Sequence, residues 1–330
     1  MDDERTAVAE RYARFARDEA PGRSDLYATW AAGVAADDEV QATLAMLPVA
    51  RRQPPLVFAV SRMLGAPELG YGVWRAWVSE HADELIAEAG RRSLQTNEPQ
   101  RCAALLPALS LIDGPIALLE IGASAGLCLY PDRYSYRYRG GPALDPPGGA
   151  SPVVLSCELR GTHPPRLRLP DIVWRAGVDL TPLNPRDAGD RRFLSSLVWP
   201  GEAGRAERIT AALDIAATEP APILAGDATE PDTLAAAIAA APPDAVLVIT
   251  TPGVLPHIPR DGRERLLTAI AAAPARWVSI DPPALHDRWN PPVDAAWGGF
   301  VLGLDGRPLA AVDPLGAFVE WRDGAAAHPG

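Results

Sequence analysis

The sequence of 330 residues contains no lysine, and all 31 of its basic residues are arginine. Arginine does not form a Schiff base, and it is too basic to lose a proton and act as a general base. The absence excludes three classes in their usual form. These are pyridoxal-phosphate enzymes with a lysine Schiff base, P-loop NTPases of the G-x-x-x-x-G-K type and lysine-dependent dehydrogenases.

Cysteines, long apolar runs and basic clusters are scarce as well. Cys102, Cys128 and Cys157 match neither a disulfide framework nor a zinc-ligand spacing, so we expect no metal. No stretch reaches the ~20 apolar residues of a transmembrane helix, and no signal-peptide pattern is present. We therefore expect a cytoplasmic protein without a membrane partner. A net charge of −11 without a basic cluster argues against nucleic acid as a partner.

The spacing of apolar residues changes along the chain. Residues 1–112 have apolar side chains at helical spacing and predict an N-terminal helical lid domain. Residues 113–330 alternate short apolar runs with helical segments, which predicts an α/β domain with a Rossmann-like, mostly parallel sheet. The predicted strands are residues 116–121, 171–174, 222–225, 245–249 and 276–280. The predicted helices are residues 205–217, 231–241 and 262–273.

Two further β segments are indicated. Tyrosines alternate with other residues over 134–139, within a stretch of about 130–170 that we interpret as an antiparallel β insertion. Residues 300–304 and 317–321 flank Asp305 and Gly306, which predicts a hairpin near the end of the chain.

The most informative segment is residues 118–127, where a buried strand ends at Gly122 and a helix is predicted to begin near Gly126. Small residues let a ligand approach the backbone, and a helix N-terminus offers free N–H groups. The candidate contacts in this turn are Gly122, Ala123, Ser124 and Gly126.

Three chemistries use a turn of this kind. Residues 122–126 match G-x-S-x-G, the turn that carries the nucleophile of serine hydrolases, with Ser124 as the nucleophile. They are also similar to the glycine turn of short-chain dehydrogenases, but those enzymes need a Tyr-x-x-x-Lys pair that a chain without lysine lacks. With Glu120 included, the turn resembles the E-x-G-x-x-x-G motif of class I methyltransferases. The hydrolase turn normally follows several strands, whereas helical sequence precedes this one.

The methyltransferase resemblance extends along the chain. Residues 175–182 resemble the second strand of that fold, where Asp179 would accept hydrogen bonds from both ribose hydroxyls of the cofactor. The corresponding positions of the third and fourth strands are Asp227 and Ala228, at the adenine, and Thr250, beside the transferred methyl group. The resemblance implies S-adenosylmethionine as cofactor and a small molecule as methyl acceptor. The serine hydrolase and a non-catalytic nucleotide-binding protein remain alternatives.

The position of the ribose acid has an alternative. Glu120 and Asp179 are 59 positions apart, against the ~20 expected between a glycine turn and a ribose acid. The insertion accounts for the excess, but Glu158, at the end of another apolar run, is a second candidate for this acid.

Other candidates follow from their positions. His257 lies just after the fourth predicted parallel strand, where ligands of parallel sheets bind, and is our candidate general base. His286 and Trp289 are weaker candidates for the same pocket. Asn97 and Arg101 would reach over the cofactor, although a helix cap at Thr96 or Asn97 explains that segment equally well.

The whole chain also resembles a bacterial family known as domain of unknown function 2332. The matching stretches are residues 95–98, 101–102, 120–127, 175–180 and 198–200. Where that family usually carries asparagine after its glycine turn, this chain has Cys128. The resemblance implies a methyltransferase-like fold and brings no substrate.

Overall fold

The computed structural model describes residues 2–294 and 296–322. Its helices are α1 (Asp2–Asp18), α2 (Asp25–Ala35), α3 (Asp38–Ala45), α4 (Pro54–Met63), α5 (Tyr71–Glu80), α6 (Ala82–Arg91), α7 (Arg101–Leu109), α8 (Ala188–Ser196), α9 (Arg205–Thr218), α10 (Pro231–Ala239) and α11 (Arg260–Ala272). Its strands are β1 (Ile116–Ile121), β2 (Ser135–Arg139), β3 (Ala143–Leu144), β4 (Val154–Arg160), β5 (Ile172–Asp179), β6 (Ile223–Ala225), β7 (Val246–Pro252), β8 (Arg276–Asp281), β9 (Phe300–Leu304), β10 (Arg307–Val312) and β11 (Phe318–Trp321). The chain divides into two compact units.

The first unit comprises Met1–Thr96 and Arg186–Thr210. Side chains at the helix starts satisfy free N–H groups: Ser24 accepts from Tyr27 at the start of α2, and Asp37 accepts from Val40 at the start of α3. The apolar faces of these helices bury an aromatic core. Its largest members are Tyr12, Phe15, Tyr27, Trp30, Phe58 and Trp74. The N-terminal region is therefore helical, as the sequence predicts.

Trp199 explains why a distant stretch belongs to this unit. Its ring centre lies 5.2 Å from that of Phe15 and 5.6 Å from that of Tyr27. The Arg23 guanidinium lies 3.7 Å from the Trp199 ring centre, close enough for a cation–π contact. Residues 198–200, one of the stretches that carry the family resemblance, thus contribute to the aromatic core of the helical unit.

The second unit comprises Asn97–Pro185 and Ala211–Gly330 and contains an eleven-stranded, mostly parallel sheet. The strand order is β3-β2-β4-β11-β10-β9-β8-β7-β1-β5-β6. Strands β6, β5, β1, β7 and β8 are mutually parallel. If these five strands are numbered 1 to 5 along the chain, their order across the sheet is 3-2-1-4-5. The order reverses between β1 and β7, so the loops after these two strands diverge and leave a crevice at their carboxyl ends.

The two faces of β1 have different partners. Leu119 and Ile121 share a buried cluster with Leu234 of α10 and Leu266 of α11. Successive strand side chains point to opposite faces, so Glu120 points away from this cluster. The apolar run that predicts β1 therefore includes one buried carboxyl group on the opposite face.

The β insertion is present, but its antiparallel pairing is partly wrong. Strand β2 pairs antiparallel with β3, whereas β2 and β4 are parallel, and β4 pairs parallel with β11. The inserted strands thereby extend the same sheet at the edge opposite β6. Tyr134, Tyr136 and Tyr138 are buried, so the alternating tyrosines form a packed face.

The hairpin near the end of the chain has a different second arm from the predicted one. Asp305 and Gly306 connect β9 to β10, which pair antiparallel. The predicted second arm is instead β11, which pairs antiparallel with β10. The Arg307–Val312 strand lacks clear alternation because its residues are buried on both faces, and for that reason the pattern missed it.

Candidate functional site

The turn after β1 is strongly bent. Gly122, Ser124 and Gly126 all have positive φ angles, of 76°, 53° and 75°, a region that glycine adopts without steric cost and serine does not. A Cβ atom on Gly122 would lie 2.5 Å from Val254 Cγ2. The small residues of the turn therefore serve its own packing, in addition to any ligand that approaches it.

The helix predicted to begin near Gly126 does not form. The chain makes short 3₁₀ turns at Leu127–Leu129 and Pro131–Arg133 and then enters β2. Side chains take the carbonyls that a helix would use: Tyr134 Oη donates to Leu127 O at 2.6 Å, and Arg175 Nη1 donates to Leu129 O at 2.7 Å. The turn consequently has no helix N-terminus to offer a ligand, and the N–H groups of Gly122, Ala123, Ser124 and Gly126 all bond within the protein.

Asp179 ties the end of β5 to the glycine turn. Its Oδ2 accepts from the Ser124 N–H and its Oδ1 from the Thr181 N–H, both at 2.8 Å. The carboxylate is partly buried. Each of its oxygens has two lone pairs, so each oxygen can accept one further hydrogen bond besides these two.

Glu158, the alternative candidate for the ribose acid, lies far from the glycine turn. Glu158 lies in β4, six strands from β1 in the sheet, which at the usual strand spacing of about 4.8 Å is roughly 29 Å away. Its carboxylate pairs with Arg139 and Arg160 at the edge of the sheet. The insertion folds against β11 and so carries Glu158 away from the glycine turn.

Glu120 is a buried carboxyl group near the carboxyl end of β1. It is 4% exposed, and no described residue forms a hydrogen bond with its Oε2. Burial raises the pKa of this carboxyl well above its ordinary value; Cys128 and Asp179 raise it further, and Arg101 opposes the shift. The carboxyl group is therefore protonated over a wider pH range than an exposed glutamate.

Asn97 does not cap a helix. Helix α7 begins at Arg101 and has no side-chain cap, while Glu98 Oε1 accepts from the Gln100 N–H at 3.0 Å. Asn97 is 8% exposed, and its Nδ2 has no hydrogen-bond partner among the described residues. The neighbouring Glu98 carbonyl accepts from Cys128 Sγ at 3.4 Å. The capping interpretation is therefore wrong, and the segment lies against the chain that follows the glycine turn.

Arg101 joins two loops at this end of the sheet. Its Nη1 donates to Pro252 O at 2.9 Å, at the end of β7, and its Nε donates to Pro314 O at 3.0 Å, after β10. Sequence reasoning missed the loop after β10. The sequence signal that could have indicated this loop is Asp313, a residue type that favours turns: its Oδ1 accepts from the Leu315 and Ala317 N–H groups.

The remaining cofactor candidates follow the neighbouring strands. Thr250 is buried in β7 and lies beside Glu120 in the strand register. Asp227 is exposed after β6, and its Oδ1 accepts from the Thr229 N–H at 2.8 Å, while Ala228 is buried. Because β1, β5, β6 and β7 are parallel, Glu120, Asp179, Asp227 and Thr250 lie at one edge of the sheet, the edge that the carboxyl ends of these strands form.

The two histidine candidates differ in access. His257 ends a 3₁₀ turn after β7 and is exposed, while partial desolvation of its imidazole and the charge of Arg101 lower its pKa. The side chain of His286 is fully buried, with Nε2 3.8 Å from Asp281 Oδ2, and Trp289 packs on its ring. His286 and Trp289 thus form part of the interior and are not open to a substrate.

A surface groove of about 540 Å³ lies elsewhere, over β2 and β4. Of the predicted acids it includes Glu158 alone, and its arginines are ion-paired: Arg137 with Asp145, and Arg139 with Glu158. Within the described part of the chain, no group of three metal-ligating side chains is arranged to hold a metal ion. No described helix has the length and apolar character needed to cross a membrane.

The fold and this edge of the sheet define a mixed α/β protein with a glycine turn and a buried carboxyl group at the carboxyl ends of its parallel strands. The chain belongs to a bacterial family described as "Uncharacterized protein conserved in bacteria (DUF2332)", whose profile matches residues 9–321. No curated protein and no solved structure matches the chain.

Proposed function

We propose that the second unit binds S-adenosylmethionine at the carboxyl ends of β1, β5, β6 and β7 and transfers its methyl group to a small molecule. One observation carries the proposal. Glu120 Oε2, in β1 next to the reversal of the strand order, and Asn97 Nδ2, in the segment that lies against Cys128, are buried without a partner among the described residues. Buried polar groups are nearly always hydrogen-bonded, so an acceptor and a donor left open beside a glycine turn favour a polar ligand.

The order of the parallel strands supports the same location. Doubly wound sheets with this order bind nucleotides in the crevice where the order reverses, here between β1 and β7. The acids at the ends of β5 and β6 suit the two halves of an adenosine. Asp179 retains acceptor positions for the ribose hydroxyls, and the exposed Asp227 retains Oδ2 as an acceptor for an adenine amino group.

When bound, S-adenosylmethionine supplies a methyl group on a positively charged sulfur, and the residues of this chain supply position and proton transfer. Transfer to an oxygen or nitrogen acceptor requires that the acceptor be held in line, and that its proton be accepted when it has one. His257 suits the second task, because its lowered pKa keeps the imidazole neutral near pH 7. A neutral imidazole accepts a proton and an imidazolium does not.

Calorimetric titration with S-adenosylhomocysteine tests the proposal. We expect micromolar affinity, about −8 kcal/mol, and a rise in melting temperature, whereas NAD should give neither. The absence of heat and of stabilisation up to millimolar S-adenosylhomocysteine would rule out the methyltransferase. Binding without methyl transfer to any acceptor in a small-molecule panel would favour the non-catalytic alternative.

The serine hydrolase is a second candidate because of one observation. Ser124 has a φ of 53° within its G-x-S-x-G turn, and nucleophiles of that enzyme class sit on a strained turn. Two features oppose it: Ser124 is 4% exposed, and no helix follows the turn. A fluorophosphonate probe decides between the two, since labelling of the wild type but not of Ser124→Ala would establish the hydrolase.

A further inference from the structure

The charge of Arg101 is held in place by neutral groups. Its Nη1 and Nε donate to the carbonyls of Pro252 and Pro314 at 2.9 and 3.0 Å. Two carbonyl bonds fix the plane of the guanidinium without neutralising it, in contrast to arginines such as Arg175, whose two Nη atoms contact the Asp132 carboxylate. The side chain is partly exposed, so a fixed and accessible positive charge lies at this edge of the sheet.

The same guanidinium lies against the loop that carries His257. A Cβ atom on Gly253 would lie 3.2 Å from Arg101 Nη2, which places this nitrogen in contact with the loop four residues before the histidine. The charge of Arg101 reaches both neighbours, since it lowers the pKa of His257 and opposes the raised pKa of Glu120.

A fixed guanidinium of this kind is suited to bind a carboxylate, because its planar N–H groups match the two carboxylate oxygens and little side-chain freedom is lost on binding. We propose that the methyl acceptor is a small organic carboxylate, and that Arg101 binds its carboxylate group beside His257. The assignment of this anion to the acceptor rests on the proposed methyltransferase function. The anion site itself depends on Arg101 alone.

The test uses propionate and its neutral analogue propionamide on the full chain at constant ionic strength. We expect 100 mM propionate to raise the melting temperature by roughly 2–4 °C and propionamide to leave it unchanged. Arg101→Gln should abolish the shift, and Arg101→Lys, which keeps the charge but loses the planar fork, should reduce it. Arg168→Gln is the control: the Arg168 guanidinium also donates to backbone carbonyls, those of Ser110 and Ile112, but unlike Arg101 it is ion-paired, with Asp113, so this variant should keep the full shift.

Three results would overturn the inference. The first is equal stabilisation by propionamide, and the second is a full propionate shift in Arg101→Gln with a native circular dichroism spectrum. The third is loss of the propionate shift in the presence of saturating S-adenosylhomocysteine, which would assign Arg101 to the carboxylate of the cofactor. An Arg101-dependent propionate shift in a protein that does not bind S-adenosylhomocysteine would support the anion site and refute the methyltransferase.

Discussion

Replacement of Asp179 tests both a structural and a ligand-binding role of one carboxylate. The two backbone N–H groups that it accepts, from Ser124 and Thr181, are each 2.8 Å away. Hydrogen bonds to a charged group contribute about 1.5–3 kcal/mol each. The lower value applies here because Asp179 is partly exposed, so Asp179→Ala should destabilise the second unit by about 3 kcal/mol. Asp179→Asn keeps one acceptor oxygen and should lose about half of that.

Thermal unfolding followed by circular dichroism measures this effect. A loss of about 3 kcal/mol lowers the melting temperature of a unit of this size by roughly 6–12 °C. Asp227→Ala is the control: Asp227 also follows a parallel strand, but it is exposed and accepts a single N–H, from Thr229. Its loss should cost about 1 kcal/mol. An unchanged melting temperature for Asp179→Ala would refute the argument that this carboxylate holds the glycine turn to β5.

The same variants separate folding from cofactor binding. At a temperature where Asp179→Ala is folded, its affinity for S-adenosylhomocysteine should be ten- to a hundredfold or more weaker than that of the wild type, because the ribose loses its acceptors. Asp179→Asn should also bind more weakly. Glu158→Ala should bind as the wild type does, since Glu158 lies six strands away from β1. Normal affinity in a destabilised Asp179→Ala would leave the structural role and move the ribose site elsewhere.

Three further predictions concern the same edge of the sheet. In the folded protein, Glu120 keeps its proton at pH values where the unfolded chain releases it, so its contribution to stability falls as pH rises above its ordinary pKa of 4.5. Glu120→Gln should therefore gain stability relative to the wild type as the pH rises above 4.5 in urea unfolding, and parallel stability curves would contradict this. Gly177→Ala should cost about 1–3 kcal/mol, because the new methyl group overlaps Ala123 Cβ, whereas Gly90→Ala, in α6 and with no atom within 4 Å, should be neutral or slightly stabilising. If His257 is the general base, kcat/KM should begin to fall only at a pH below 6.5, the ordinary pKa of an imidazole. The pH profile of His257→Gln should lack this ionisation.

The central strands were predictable because their signal is local. Residues 116–121 form a continuous apolar run, which is typical of a strand buried on both faces, and the structure has β1 at these positions. The same pattern predicts β5 to β8 within a few residues of their observed starts. The carboxyl-end position of Asp179 follows from such a run in the same way. These features need no knowledge of distant partners.

The errors of prediction involve partners far away in sequence. The pairing of β4 depends on β11, about 160 positions later, and alternation alone does not distinguish parallel from antiparallel partners. The helix expected near Gly126 is displaced by hydrogen bonds from Tyr134 and Arg175, which are invisible at the turn itself. The inclusion of residues 186–210 in the helical unit likewise depends on Trp199 meeting Phe15 and Tyr27.

The glycines of the turn are weaker evidence for a ligand than their motif suggests. Gly122 makes room for Val254, and Gly177 on the adjacent strand makes room for Ala123, so the close approach of neighbouring chain segments already requires small residues at both positions. A glycine motif therefore predicts the bend of the backbone and not the ligand, because close packing of chain segments and close approach of a ligand both favour glycine. Glu120 and Asn97 are different, because packing alone gives no reason to bury a carboxyl oxygen and an amide nitrogen that have no partner among the described residues. The case for a polar ligand at this edge of the sheet consequently rests on these two side chains, and the glycine turn adds only their location.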